Sequence, residues 1–529
     1  MHILFIYPPF SNNGFWNDTE VCKLIGAKYS SPPLGLLTVA AYLPQEWSMK
    51  LIDLNVVDIK KRDPLLKTEI IKSDFVFVGG MLPQRSGILN LIDQVHALNK
   101  KIIVGGSDPT SMPELYQKAD YLFIGEIEET IVKFVNDLVN DLNSTNSSTP
   151  IIYKSTNRPQ LKETLTPRFD LLEDITLYLQ LSLQFSRGCP HNCEFCDAIQ
   201  LFGREPRCKS SKNMIAELQS IFDLGYHGLI YVTDDNFVGH KQKAKEFLKV
   251  LIDWQEKNGY PFFLSTEASI TIAYDDELLE LMRRASFRFV FIGLETVDQK
   301  VLATIEKEQN FKQNLLDSIR KIHFSGISVI GSFILGFDHE TKDSGEMLVK
   351  FISDSNIVMA QVGLLDALPN TRLTNKLLAE NRLLRDDDES RYQHQMALYG
   401  LNFQTIRPKK EIINDQYQVL SKIYSNKAYF DRILALGLEL NIYRKYSPPL
   451  KHLPKFFIAF WIFCFKLGPF TMTFLYFLRN MIILSIKNPK ALEIVIQLMA
   501  MFVHYKLFLP EMLAMINKKM ELTDNGKQQ

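Results

Sequence analysis

A strand-like run ending at Arg187 leads straight into Gly188-Cys189-Pro190-His191-Asn192-Cys193-Glu194-Phe195-Cys196, three cysteines at C-x3-C-x2-C spacing. A loop of this kind must hang from the end of a strand and gather its thiols around one object. A four-iron cluster held by three thiolates keeps one iron open to a small chelating molecule. A structural zinc ion takes four ligands, usually as two spaced pairs, so zinc would need His191 to complete the set. A disulfide framework belongs to small secreted chains, whereas this chain has 529 residues and six cysteines. Cys22, Cys208 and Cys464 are scattered and receive no role, since a lone cysteine usually packs as a small hydrophobe.

The regions flanking this loop share one rhythm. Short apolar runs at 2–7, 49–54, 74–78, 101–104 and 121–124 alternate with helical patterns, which predicts a doubly wound parallel sheet over residues 1–140. Glycine-rich turns follow several runs, at Gly79-Gly80, Gly105-Gly106-Ser107 and Gly125-Glu126, and ligands of such sheets sit at the carboxyl ends of the strands. No G-x-G-x-x-G follows a strand, so a dinucleotide is not indicated. Residues 140–150 are polar and turn-forming, and 141–175 is predicted as a linker. The sequons at Asn143 and Asn146 matter only on a secretory route.

Six further runs, at 180–187, 228–234, 261–266, 288–294, 327–335 and 357–364, alternate with helical patterns such as 244–255 and 276–284. Six β/α units over 176–385 predict a partial barrel, with its chemistry at the strand carboxyl ends. The cysteine loop follows the first of these strands.

Residues 386–529 read as mostly helical and become apolar and aromatic after 455, with basic interruptions at Lys466, Arg479 and Lys487. None of the apolar runs reaches the roughly 18 uncharged residues of a spanning helix. Helices lying in a membrane interface and a buried helical bundle both fit. Lys+Arg and Asp+Glu balance at 60 each, so no global field favours nucleic acid. Met1-His2-Ile3-Leu4-Phe5-Ile6-Tyr7 has no basic region before it and reads as a first strand rather than a signal peptide. The expected location is the cytoplasm, with peripheral contact on the inner face of the membrane.

With these segments in view, the chain resembles the cobalamin-dependent radical S-adenosylmethionine enzymes. Pro32-Pro33-Leu34-Gly35-Leu36-Leu37, Ile52-Asp53-Leu54-Asn55, Phe202-Gly203-Arg204, Asp234-Asp235-Asn236-Phe237 and Ser265-Thr266-Glu267 look most like the hopanoid C-2 methylase and its relatives. The resemblance implies a four-iron, four-sulfur cluster on Cys189, Cys193 and Cys196, with S-adenosylmethionine on the open iron and cobalamin on the first domain. It implies cobalamin contacts from Gly79, Gly105, Gly106, Ser107, Gly125 and Glu126. It also implies S-adenosylmethionine contacts from Asp234, Asp235, Asn236, Glu267 and Glu295, carboxylates suiting an ammonium or a hydroxyl pair. Arg204 and Lys209 are further candidates, for the methionyl carboxylate. The D-x-H-x-x-G motif that supplies a cobalt-ligating histidine is missing, and the first domain has only His2 and His96.

The implied reaction is methylation of an unactivated carbon in an apolar, hopanoid-like or other isoprenoid lipid. One S-adenosylmethionine would methylate cob(I)alamin and a second would yield the 5′-deoxyadenosyl radical, with electrons from a flavodoxin or ferredoxin. Ring formation on a tetrapyrrole-like substrate is the alternative within the same family. A cobalamin-binding sensor with a structural metal is the alternative outside it, and it would not cleave S-adenosylmethionine.

Overall fold

The computed structural model describes the chain except for residues 11–14, 16–17, 142–149, 163, 312–313, 385–399, 445–449, 451–452 and 525–529. The two sequons, much of the polar linker and the expected boundary at 385 fall outside the described residues.

Six strands, β1 (His2–Tyr7), β2 (Ser48–Asp53), β3 (Phe75–Gly79), β4 (Lys101–Gly105), β5 (Tyr121–Ile124) and β6 (Ile151–Lys154), form a parallel sheet in the order β2-β1-β3-β4-β5-β6. Their side chains alternate between two apolar layers. Leu4, Ile6, Val76, Val78, Ile102 and Val104 pack in one, while Ile3, Phe5, Phe75, Phe77, Ile103 and Phe123 pack in the other. Near-continuous apolar runs are what a sheet covered on both faces requires. Two short helices, α1 (Thr19–Ile25) and α2 (Leu34–Ala41), connect β1 to β2.

The expected linker at 141–175 needs correction, because it contributes β6. This edge strand is short and exposes Ile151 and Ile152, so no alternation betrayed it. Just beyond it Ser155, Thr156 and Asn157 converge on the Glu129 carboxylate.

The second sheet is a parallel arc of β7 (Gln180–Leu183), β10 (Gly228–Val232), β11 (Phe262–Glu267), β12 (Phe287–Glu295), β13 (Ser328–Leu335) and β14 (Met359–Leu364), each paired to the next. Between β7 and β10 the chain makes an antiparallel ribbon of β8 (Ser186–Arg187) and β9 (Arg207–Cys208). The expected single strand over 180–187 therefore breaks after Leu183, and the cysteine loop is the insert of this ribbon.

The C-terminal part is helical: α3 (Lys409–Ile423), α4 (Asn426–Glu439), α5 (Leu453–Leu467), α6 (Met472–Lys487) and α7 (Leu492–Asp524). Helix α3 docks on the last barrel strand, where Gln416 donates to the Val362 carbonyl and Tyr424 to that of Ala360. Arg432 of α4 caps the carbonyls of Ile357 and Ile423. Among the described residues α7 is the one helix long and apolar enough to cross a membrane, and half of its apolar window is buried in the protein. Val495, Leu498, Met499, Phe502 and Tyr505 pack in the main core, each worth roughly 1.5–3 kcal/mol of burial. Helix α7 is thus a core helix here, while α5 and α6 turn apolar faces outward.

Candidate functional site

The cysteine loop is shaped by side chains from the neighbouring strand ends. Asp234, just past β10, is 1% exposed. Its carboxylate accepts the Phe185 N–H at 2.7 Å and the Ser186 hydroxyl at 2.6 Å. Asp235 accepts the Gly188 N–H at 2.9 Å. Gly188 turns at φ +95°, and a Cβ there would lie 2.8 Å from the Glu205 carbonyl oxygen, so only glycine fits. Asn236 donates toward Cys189 Sγ at 3.8 Å and accepts the Ser269 N–H. Gln309 donates toward Cys193 Sγ at 3.8 Å.

Burial pushes the Cys189 thiol up and the Cys196 thiol up to about 12, so metal binding would expel protons from this loop. The same cause raises Asp234 to about 7 and Asp235 to about 6. Among the described residues no three His, Cys, Asp or Glu side chains stand preassembled as a cage for a single ion.

Lys307 is buried against this loop. Its ammonium is bonded to Glu295 and stands 5.7 Å from the centre of the Phe195 ring. Burial depresses it, but Glu295 and the Cys193 and Cys196 thiolates outweigh that and raise it. Glu295 adopts φ 61°, a left-handed backbone at the end of β12. Sequence reading offered Glu295 as a ligand contact; the structure pairs its carboxylate with Lys307. Lys209 likewise pairs with buried Glu217 at 2.5 Å, and Arg204 donates to the Pro190 carbonyl. Asp234 and Asp235 accept hydrogen bonds from the ribbon strand and turn that lead into the cysteine loop.

One cavity of about 1760 Å³ runs from the carboxyl ends of the first sheet into the barrel interior, past Ser182, Tyr231, Ser265 and Ile330; the three cysteines, Asp234, Asp235, Asn236 and Glu295 are not among its lining residues. On the first sheet its rim is Gly79, Gly105, Gly106, Ser107, Gly125 and Glu126. Gly106 has φ +118°, and a Cβ there would meet the Gly80 carbonyl oxygen at 2.3 Å. Glu126 also reaches across to the barrel. It accepts Arg187 at 2.5 Å and Arg207 at 2.6 Å, and Glu128 accepts Arg187 at 2.8 Å. On the barrel side Tyr231 donates to Glu267 at 2.6 Å, and burial lifts Glu267 to about 7. Most of the wall is apolar, with Phe77, Phe123, Phe263, Phe289, Phe291 and Ile330 among its residues.

Histidine is scarce here. His2 bonds Ser48 and His96 pairs with Asp120, both outside the cavity. His227, the one histidine among the described lining residues, precedes the start of β10, at the far end of the barrel strands. The sequence reading missed Lys307, Arg187, Arg207 and Tyr231. Their partners are distant in sequence or on a neighbouring strand, and no local spacing signals them.

Profiles of known families match three segments: the radical SAM superfamily over residues 183–352, the B12-binding domain over 24–135 and a domain of unknown function over 371–518. An uncharacterized methyltransferase of Synechocystis is 39% identical, covering 83% of this chain and 79% of its own. The hopanoid C-2 methylase of Rhodopseudomonas palustris is 36% identical, covering 68% of this chain and 66% of its own. Among solved structures, the cobalamin-dependent S-adenosylmethionine radical enzyme OxsB, with aqua-cobalamin and S-adenosylmethionine bound, superposes with a TM-score of 0.60 at 16% identity, covering 98% of this chain and 81% of that one. The residues present suit these groups. Three free thiols with two amide donors aimed at sulfur fit a three-thiolate cluster, and a glycine rim over a broad cavity leaves room for a flat macrocycle.

Proposed function

The chain belongs to the cobalamin-dependent radical S-adenosylmethionine methyltransferases, and from that premise we propose that it methylates an unactivated carbon of an apolar, hopanoid-like or other isoprenoid lipid. When bound, the cluster, S-adenosylmethionine and cobalamin supply the radical and the methyl group. The protein's own residues hold, orient and keep dry. Cys189, Cys193 and Cys196 hold the cluster, Asp234 to Asn236 fix the loop that carries them, and the rim from Gly79 to Glu126 seats the macrocycle. The carboxyl group of Glu267, whose pKa burial lifts to about 7 and which is bonded to Tyr231, is one of the polar groups on the barrel side of the cavity.

The observation that carries the substrate reading is the cavity: about 1760 Å³, walled mainly by phenylalanine and aliphatic side chains and reaching α5 and α7. A polycyclic hydrocarbon fills such walls without leaving polar groups unpaired. The relationship to a hopanoid C-2 methylase supports the same class. Ring formation is not favoured, because the Synechocystis and Rhodopseudomonas relatives, at 39% and 36% identity, both bear methyl-transfer names. A flavodoxin or ferredoxin is the reductant in this reading, and the enzyme works at the cytoplasmic face of a membrane. Anaerobic reconstitution with isoprenoid lipids tests it, with products read by mass. The expected product carries one added methyl group, labelled when methyl-labelled S-adenosylmethionine is supplied. A product that loses hydrogen without gaining carbon would sink it.

A further inference from the structure

Helix α5 is apolar on two sides. Phe456, Ala459, Phe460 and Phe463 line the cavity, while Phe457, Ile458, Trp461 and Phe465 look outward with 58–76% of their surface exposed. The outward face continues around the turn, where Phe470 is 98% exposed, and along α6 through Leu475, Ile482 and Ile486, at 52–78%. So wide an apolar face on a soluble chain marks an interaction site.

Charge indicates what covers it. From residue 440 to 492 the chain has no carboxylate side chain and carries eight lysines and arginines, although the whole chain is balanced. Within the hairpin the cations are paired internally, Lys466 with Glu20 at 2.5 Å and Arg479 with Asp431 at 2.7 Å. Lys455, Lys487 and Lys490 sit at the opposite end from the turn, where α5 begins and just where α6 ends, and are exposed. An apolar tip with a cationic base matches an acyl layer beneath anionic headgroups. A second copy of this chain would bring like charges together, so self-association through this face is disfavoured.

We propose that the α5–α6 hairpin beds in an anionic phospholipid bilayer, and that α5 is the partition between the acyl layer and the cavity. A lipid enters past α5 without crossing water. The entry route rests on the lipid-methylase reading; the docking surface does not.

Full-length protein is floated with vesicles of phosphatidylcholine alone or mixed with phosphatidylglycerol. It floats with the mixed vesicles, roughly tenfold more weakly at high salt or on the neutral ones. Brominated acyl chains quench emission from Trp461, and the W461F variant loses that quenching. Phe465→Glu with Phe470→Glu abolishes flotation, while circular dichroism and 5′-deoxyadenosine formation persist, because neither residue touches the cavity. Lys487→Glu with Lys490→Glu weakens flotation without altering either control.

Failure to float, equal binding to neutral vesicles, or a concentration-dependent dimer dissolved by the two glutamates would each overturn the surface. Vesicles contain no methyl acceptor, so these outcomes leave the methylase reading untouched. Bound enzyme that methylates no isoprenoid lipid would sink that reading and keep the surface.

Discussion

The rim of the first sheet, which faces the cavity, and the barrel rim around the cysteine loop are built in opposite ways. The rim of the first sheet is backbone: Gly79, Gly105, Gly106 and Gly125 leave space, and Ser107 adds one hydroxyl. The barrel rim is side chain, with Asp234, Asp235, Asn236 and the Glu295–Lys307 pair clamping the loop and strand ends around the cysteines. A broad flat macrocycle needs room and close backbone approach, so glycine suffices. A reactive cluster needs its ligands fixed and its charge balanced, which takes paired groups away from water. One rim recognises by shape, the other by position.

The largest way to break this contrast is on the barrel rim. Changing Cys189, Cys193 or Cys196 to Ala should abolish the cluster's charge-transfer absorption and all 5′-deoxyadenosine while cobalamin still binds. A triple variant that still cleaves S-adenosylmethionine would refute the assignment of the loop. Lys307→Met strands Glu295, and removing one partner of a buried pair costs about 3–5 kcal/mol. Its thermal unfolding should fall accordingly, and the cluster's midpoint potential should become more negative as a nearby cation is lost. An unchanged potential would reduce Lys307 to scaffolding.

Asp234 supplies the pH dependence. Its folded pKa of about 7 lies above the unfolded carboxylate value, so the native state holds more protons and its contribution is largest at acid pH. It fades as pH rises from about 4 to 7. Denaturant unfolding of wild type and Asp234→Asn should therefore diverge between pH 5 and pH 8, the wild type losing up to about 3 kcal/mol relative to the variant. A pH-independent difference would contradict the buried carboxyl.

The sheet rim should respond more mildly. Gly106→Ala adds about 1–3 kcal/mol of strain at positive φ, pushes its methyl against the Gly80 backbone, and should lower cobalamin retention on desalting at least roughly tenfold, with the cluster intact. A parallel loss of both cofactors would erase the distinction between the rims. The smallest expected effect is none: cob(II)alamin bound to the enzyme should show no histidine nitrogen splitting in paramagnetic resonance, since His2 and His96 lie outside the cavity and His227 lines it just before β10, away from the first-sheet rim.

What could be read from the chain followed how local its cause was. Apolar runs such as 101–104 announced their strands because each is buried on both faces, and the cysteine spacing fits in eight residues. Strand β6 escaped because an exposed edge strand carries no apolar alternation. Lys307 escaped because its partners, Glu295 and the thiolates, meet it only after folding. The C-terminal region looked equally like core and interface because its helices differ: α7 fills the core while α5 and α6 turn apolar faces outward. Composition alone cannot assign a face to a helix that is apolar nearly all round.

Glu126 has a consequence for exchange of parts between relatives. One carboxylate from the first domain is shared by two guanidiniums, Arg187 and Arg207, from the two strands that bracket the cysteine loop. A chimera joining this first domain to another relative's barrel inherits half of that latch, leaving either a buried carboxylate or two buried cations without counter-charge. Modules cut at the linker would thus be interchangeable only when residues 126, 128, 187 and 207 travel together, and substitutions at any one of them should be rescued by compensating changes at the others.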